Sequence, residues 1–232
     1  IEDIEAEGAA CDVVDGTYDD AVARSAKEAS ERCLVISDTS WPGYDTVPRW
    51  AIEGYSTIFW EIEDQLGGTP VIDVVVIQLG VGALGAAAVA HWRGRAGDGG
   101  ALLIGVEPAG AACVLASARA GEVVTVPGPH ESIMAGLNCG TPSIVAWPVV
   151  SAGFDLFLAI DDDRARDAMR MLADVDIVAG ESGAAGIGGL IELRDSGATS
   201  DLGINEGTTA LVLLTEGATD PDSYRRIVGR PP

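Results

Sequence analysis

The chain has 232 residues, 47% of them hydrophobic, and carries 36 acidic against 14 basic side chains for a net charge of -22. That length and hydrophobicity allow one large or two modest globular domains around a substantial core, whereas the charge excludes a nucleic-acid partner, because a phosphate backbone needs Lys and Arg to displace its counterions. No apolar run reaches membrane-spanning length: the nearest, Val71 to Ala90, is broken by glycines, Asp73 and Gln78.

The N-terminus, Ile1-Glu2-Asp3-Ile4-Glu5, is acidic and has no start methionine, so it reads as cut from something longer rather than as a signal peptide. Residues 10 to 36 predict a strand at Cys11 to Val14, a helix capped by Thr17 with Asp20 three residues on, and a strand at Leu34-Val35-Ile36. The polar, turn-rich loop Ser37 to Tyr44 reads as a boundary between subdomains. A long helix from about Pro48 to Gln65 follows, with proline suited to its first turn.

Beyond that helix, strands are expected near 71 to 79, 102 to 106, 156 to 160 and 209 to 214, alternating with helices near 83 to 95, 109 to 119, 162 to 173 and 184 to 194. Continuous apolar strands alternating with helices predict an α/β fold, a mainly parallel sheet covered by helices on both faces. Ligands of such sheets sit at the carboxyl ends of the strands. Three turns fall there: Gly80 to Gly85, Glu107-Pro108, and Thr215 to Asp220.

The first of these carries the strongest chemical signal. Gly80-Val81-Gly82-Ala83-Leu84-Gly85 follows a buried-type strand and opens into a run of alanines, the order of an anion site in which glycines admit an oxyanion to the backbone and a helix N-terminus faces it. No Gly-Lys-Ser/Thr follows, so it is not a Walker loop, and the same glycines could equally pack a helix tightly on a sheet. The four cysteines, 11, 33, 113 and 139, have neither CxxC spacing nor nearby histidines, so no metal site is predicted from them. The acidic excess, with Lys27 the only lysine, fits a salt-rich cytoplasm or a GC-rich coding bias.

Taken in order, Gly54-Tyr55-Ser56-Thr57 with Glu61, the Gly80 turn, Val106-Glu107-Pro108, Met134-Ala135-Gly136-Leu137, Glu181-Ser182-Gly183-Ala184-Ala185-Gly186 and Thr215-Glu216-Gly217 resemble the pyridoxal-phosphate enzymes of the tryptophan-synthase β type, the fold that also carries threonine dehydratase. Within it the chain is most similar to the diaminopropionate ammonia-lyases. The residues that distinguish them are Asp38-Thr39-Ser40-Trp41 with Gly43-Tyr44, Trp50, Ala135-Gly136-Leu137 with Cys139-Gly140, Gly180 to Ala184, and Thr215-Glu216-Gly217 with Thr219-Asp220-Pro221 and Tyr224. The resemblance spans Glu7 to Tyr224.

It implies the cofactor pyridoxal 5'-phosphate, a small amino-acid substrate, α,β-elimination of 2,3-diaminopropionate to pyruvate and ammonia, a cytoplasmic homodimer, and a chain that corresponds to the C-terminal portion, with residues 1–45 a remnant of the small domain and 46–232 the large cofactor-binding domain. The family's cofactor-attaching lysine and its substrate-carboxylate loop lie upstream of everything present here. Lys27 sits at helical spacing between Tyr18 and Arg32 and reads as a solvated helix lysine.

By the same resemblance Gly80, Val81, Gly82, Ala83 and Leu84 hold the cofactor phosphate, and Thr215 presents a neutral hydroxyl to the ring nitrogen, or simply closes a strand. Asp38 is the candidate acid or base, or the Asx-turn residue that starts its loop. Trp41 and Tyr44 are candidate substrate-pocket walls, or ordinary packing, and Glu181 a supporting group that anchors a helix N-terminus. Cys113 and Cys139 follow adjacent strand ends and could approach each other, in which case a bond between them would be regulatory or opportunistic. Two rival readings are a threonine or serine dehydratase of the same fold and a non-catalytic remnant.

Overall fold

The structure, a computed structural model, describes residues 1–68, 71–94 and 100–232. It divides into two compact units, Ile1–Val35 and Ile36–Pro232. The first holds α1 (Glu2–Ala6) and α2 (Tyr18–Glu28). At the start of α2 the expected cap is complete: the Thr17 hydroxyl accepts from the Asp20 N–H, and the Asp20 carboxylate accepts from the Thr17 N–H at 2.8 Å. The strands expected at Cys11 to Val14 and Leu34 to Ile36 are not formed. Val13 is 73% and Leu34 77% exposed, and a single Ser30–Cys33 bridge is the only pairing in this unit, so an extended segment here has no neighbour for its ladder.

The second unit contains α3 (Thr46–Leu66), β1 (Val74–Gln78), α4 (Ala83–Arg93), β2 (Leu102–Pro108), α5 (Cys113–Ala120), α6 (Trp147–Gly153), β3 (Leu156–Ile160), α7 (Asp162–Ala173), α8 (Ala185–Asp195), β4 (Ala210–Val212) and α9 (Pro221–Val228). Every expected strand and helix after residue 46 has its counterpart, with two adjustments. The helix foreseen over 109 to 119 is a 3-10 turn, Ala109–Ala111, then α5, and position 95 of the helix foreseen over 83 to 95 lies outside the described residues. Unforeseen are α1, α6 and α9; α6 is a seven-residue helix of low propensity, with Pro148 in its first turn and valines at 149 and 150.

The strands form one parallel sheet in the order β3-β2-β1-β4. Side chains alternate across it. Val75, Ile77 and Leu103 join the cluster that includes Phe59 of α3, Ala86 and Val89 of α4, Val114 of α5 and Val150 of α6, while Val74, Val76, Ile104 and Val106 face Ala165 of α7 and Ala185 and Leu193 of α8. The central strands β1 and β2 are therefore buried on both faces and almost unbrokenly apolar, whereas the edge strands β3 and β4 are only partly covered. Helix α8 lies close enough that a Cβ on Gly189 would fall 2.5 Å from Val106 Cγ2.

The connections run β1 to β2 to β3 in one direction and then return across the sheet to place β4 on the other side of β1. The carboxyl ends of β1 and β4 consequently flank the topological switch point, where the connecting segments part and leave a crevice.

Glu107, near the end of β2, is fully buried, and its two carboxylate oxygens accept the N–H groups of Val114 and Leu115 at 2.7 Å each, capping α5. Burial raises its pKa from 4.5 to about 7 against the opposing effect of those hydrogen bonds. Because the folded chain then binds this proton more tightly than the unfolded chain, the contribution to stability is fully present below pH 4.5 and is lost as pH rises to about 7. Urea unfolding of the wild type and of Glu107→Gln, compared across that window, should show the wild type losing at most about 3 kcal/mol relative to the variant. A pH-independent difference between the two would mean that Glu107 does not titrate there.

Candidate active site at the switch point

Gln78 ends β1, and the glycine turn follows it at once. Gly82 has φ +94°, a left-handed conformation that places its residue at the N-cap of α4 without a side-chain cap, and the first turn of α4 carries no acidic residue. The positive end of the helix therefore carries backbone donors only. That donor set fits an oxyanion such as a phosphate. The floor of the turn is packed: a Cβ on Gly80 would lie 3.1 Å from Cys139 Sγ and 3.4 Å from the Gly136 carbonyl, and the Cys113 thiol reaches the Gly80 carbonyl at 3.7 Å. Both buried cysteines thus stand against Gly80.

The loop from Ser37 to Tyr44 is tied to this turn through two buried serines. Ser40 Oγ accepts from the Val145 N–H at 2.9 Å and bonds Ser143 Oγ at 2.8 Å, and the Ser143 N–H donates to the Val81 carbonyl at 2.8 Å. Asp38, two residues before Ser40, is half-buried. Its pKa is raised by burial, which outweighs the hydrogen bonds from its own and the Thr39 backbone and from the Tyr55 side chain. Tyr55, on α3, is itself raised by burial and by the neighbouring Asp38 charge. The pair can hold and pass a proton at a carboxyl whose neutral form is favoured more than in water.

Trp41 and Tyr44 stack on each other, ring centroids 4.1 Å apart and 11° from parallel, and the Tyr44 hydroxyl accepts from the Ser37 N–H at 3.0 Å. Trp41 also lines a cleft of about 470 Å³ with Pro42, Arg49, Ile144, Pro148 and Val149, whereas Tyr44 braces the loop from behind. The lining of that cleft includes neither the glycine turn nor Thr215.

Across the crevice, β4 runs out into Thr215. The Gln78 amide nitrogen donates to the Leu213 carbonyl at 3.0 Å and to Thr215 Oγ1 at 2.6 Å, while the far side of Thr215 is exposed. Gln78 is 3% exposed and its Oε1 has no partner among the described residues, an omission that costs about 1–3 kcal/mol in a buried site. Glu216 then binds the Ser182 N–H at 3.0 Å and the Thr219 hydroxyl at 2.8 Å, and Ser182 Oγ accepts from the Gly136 N–H at 3.0 Å. Glu181 turns the other way and accepts from Ser223 Oγ at 2.6 Å, at the N-terminus of α9 that Asp220 caps through the N–H groups of Asp222 and Ser223.

The second unit therefore gathers the turn 80–84 and Thr215 on one rim, with Asp38 joined to it by the Ser40–Ser143 strap. Sequence reasoning did not single out Gln78, Tyr55, Ser40, Ser143 and Glu216 as contributors. Gln78 left a trace, as a polar residue closing an apolar strand, and Tyr55 and Ser40 lay within quoted motifs; Ser143 left none.

Residues 1–216 match the family described as pyridoxal-phosphate dependent enzyme. The diaminopropionate ammonia-lyase of Salmonella typhimurium is 34% identical over 242 residues, a match that takes in 98% of this chain and 60% of that protein. A crystal structure of diaminopropionate ammonia lyase from Escherichia coli, in complex with aminoacrylate-PLP azomethine reaction intermediate, superposes with a TM-score of 0.89 at 31% identity over 98% of this chain and 61% of that one. The biosynthetic L-threonine dehydratase of Mycobacterium bovis is more distant, 28% identical over 94% of this chain and 47% of its own length. The chain thus spans about 60% of the curated relatives it resembles most among these, and on fold, sequence and the matched span it belongs to the pyridoxal-phosphate dependent enzymes.

Proposed function

We propose that this chain supplies the cofactor-binding part of a diaminopropionate ammonia-lyase, which eliminates the β-amino group of 2,3-diaminopropionate as ammonia and, with uptake of one water, releases the α-amino group as a second ammonia to leave pyruvate. When bound, pyridoxal phosphate provides the ring into which the electron pair left by the α-proton is delocalised. In this reading the backbone N–H groups of Val81 to Leu84 and the positive end of α4 hold its phosphate, and the Thr215 hydroxyl meets its ring nitrogen. Glu181 supports the rim from its bond to Ser223. Residues 1–45 are then what is present of the small domain and 46–232 the large domain. A homodimer in the cytoplasm belongs to the same reading and rests on the resemblance.

The observation that carries the diamino-acid substrate is Asp38: a half-buried carboxyl bonded to Tyr55, in a loop strapped to the glycine turn. Such a group attracts the second ammonium of a diamine and can take up or deliver a proton at it. A hydroxy amino acid needs no anion there, which sets the dehydratase reading second. Trp41 forms a wall for the substrate, with Tyr44 holding the ring of Trp41 in place.

Joined to the upstream segment its relatives carry, the protein should turn over diaminopropionate. Asp38→Asn keeps the volume and much of the loop's hydrogen bonding, so folding and cofactor absorbance should persist while turnover falls by roughly 10²-fold or more. Unchanged turnover with lowered thermal stability would return Asp38 to a turn residue and put the dehydratase reading first.

The phosphate site is testable in the chain as it stands. Asparagine and aspartate both tolerate a left-handed backbone, so comparing Gly82→Asn with Gly82→Asp isolates charge. Titration with pyridoxal phosphate should show the aspartate variant binding roughly tenfold more weakly than the asparagine variant. Equal binding by wild type and both variants would make the turn a packing device only.

A further inference from the structure

We infer that Gln78 is a positioning residue that makes the Thr215 hydroxyl a hydrogen-bond donor and thereby selects a ligand whose pyridine nitrogen is unprotonated. The inference rests on the proposed reading of Thr215 as the partner of that nitrogen, and it adds the group that decides which way Thr215 works.

The orientation of the Gln78 amide follows from its neighbours. The Leu213 carbonyl oxygen has no proton to give, so the end of the amide 3.0 Å from it must be the NH₂ group. The same nitrogen stands 2.6 Å from Thr215 Oγ1 and can only donate, since an amide nitrogen offers no lone pair. One hydrogen is committed to each oxygen. Thr215 Oγ1 is thus an acceptor on the Gln78 side, where it finds no use for its own proton, and that single proton is left for whatever approaches its exposed side. Accepting one hydrogen bond also strengthens a hydroxyl as a donor in the next.

Nothing else in the amide explains its presence. Oε1 is buried without a partner among the described residues, so the acceptor half of the side chain does nothing for the fold while both hydrogens point across to the end of β4. The register places Val76 opposite Val212 and Gln78 opposite Val106, which fixes the backbone of Gln78 on β2 two residues past the last β4 pair and level with the segment where the chain leaves β4. An acceptor in its place would capture the Thr215 proton, and the hydroxyl would then offer a ligand only lone pairs, which suit a protonated ring nitrogen. The protonation of that nitrogen sets how strongly the ring withdraws electrons, so Gln78 tunes the ligand without touching it.

The experiment loads the chain with pyridoxal 5'-phosphate carrying ¹⁵N in the ring and follows the ring-nitrogen resonance against pH. In the wild type the nitrogen should remain unprotonated at neutral pH. Gln78→Glu places an acceptor beside Thr215 and should raise the ring-nitrogen pKa by about one pH unit or more, a tenfold change in proton affinity. Gln78→Met, similar in volume and unable to donate, should raise it by less. A second measurement needs no cofactor: both Gln78 side-chain N–H signals should exchange slowly in the wild type, and Thr215→Val should release one of them.

An unchanged ring-nitrogen pKa in both Gln78 variants, alongside a shift in Thr215→Val, overturns the inference and leaves Thr215 as the partner. A ring nitrogen indifferent to Thr215→Val overturns the reading of Thr215, and the inference falls with it. So does a wild-type spectrum identical to that of the free cofactor. Two rapidly exchanging Gln78 protons would overturn the hydrogen-bond geometry itself.

Discussion

The site depends on one strand. β1 is paired on both edges and buried on both faces, so its position is set by the sheet as a whole rather than by any loop. Because the chain progresses to β2 and β3 on one side and returns to β4 on the other, the segments leaving β1 and β4 diverge, and what stands at their carboxyl ends is held by strand pairing in the sheet. The glycine turn, Gln78 and Thr215 all take their coordinates from this pairing. Loops supply the rest, Asp38 included, and they reach the same rim only through short polar straps such as Ser40 to Ser143.

Those straps are chosen in a particular way. In a chain of net charge -22, the carboxylates nearest the rim form no ion pair with Lys or Arg among the described residues; Glu107 binds two helix N–H groups, Glu216 a backbone N–H and a hydroxyl, Asp38 a tyrosine and its own loop, and Glu181 a serine. Neutral donors anchor a carboxylate without fixing a cation close by, and on the proposed reading the attraction for an anionic phosphate then comes from the backbone and the α4 dipole. The arginines are spent elsewhere, as in the pairs of Arg164 with Glu192 and Asp195 between α7 and α8.

How much of this could be read beforehand follows from the range of the forces involved. The strand at 71–79 and the helix at 162–173 were readable because burial on both faces and amphipathic spacing are written locally, and the strand at 156–160 because its run is short and continuously apolar. The glycine turn was readable for the same reason, as strand, glycines and helix are contiguous, and the Thr17 cap needs only four residues. Cys11 to Val14 and Leu34 to Ile36 have the local signature of strands and are not strands, because a strand also needs a neighbour, and that is a property of the whole unit. Gln78 to Thr215 spans 137 positions and Ser40 to Ser143 spans 103, so no spacing rule announces either bond. Asp38 lay between these cases: its loop was visible by composition and resemblance, its partner Tyr55 only by structure.

A division of labour follows from where the one lysine stands. Lys27 is exposed on α2, in the first unit, and residues 36–232 contain none, so the second unit has no amine with which to attach a carbonyl compound. On the proposed reading it instead offers directional groups: backbone N–H groups for a phosphate, a polarised hydroxyl for a ring nitrogen, and a carboxyl–phenol pair for a proton. In that reading those groups orient a planar ligand by its two ends, and orientation is the contribution a scaffold makes before any covalent step. Covalent attachment and placement are then separable properties in this architecture. On the same reading, a change at Gln78 or Gly82 acts on how the ring sits and what its nitrogen carries, and a change at the attaching amine acts on whether the ligand is held covalently at all.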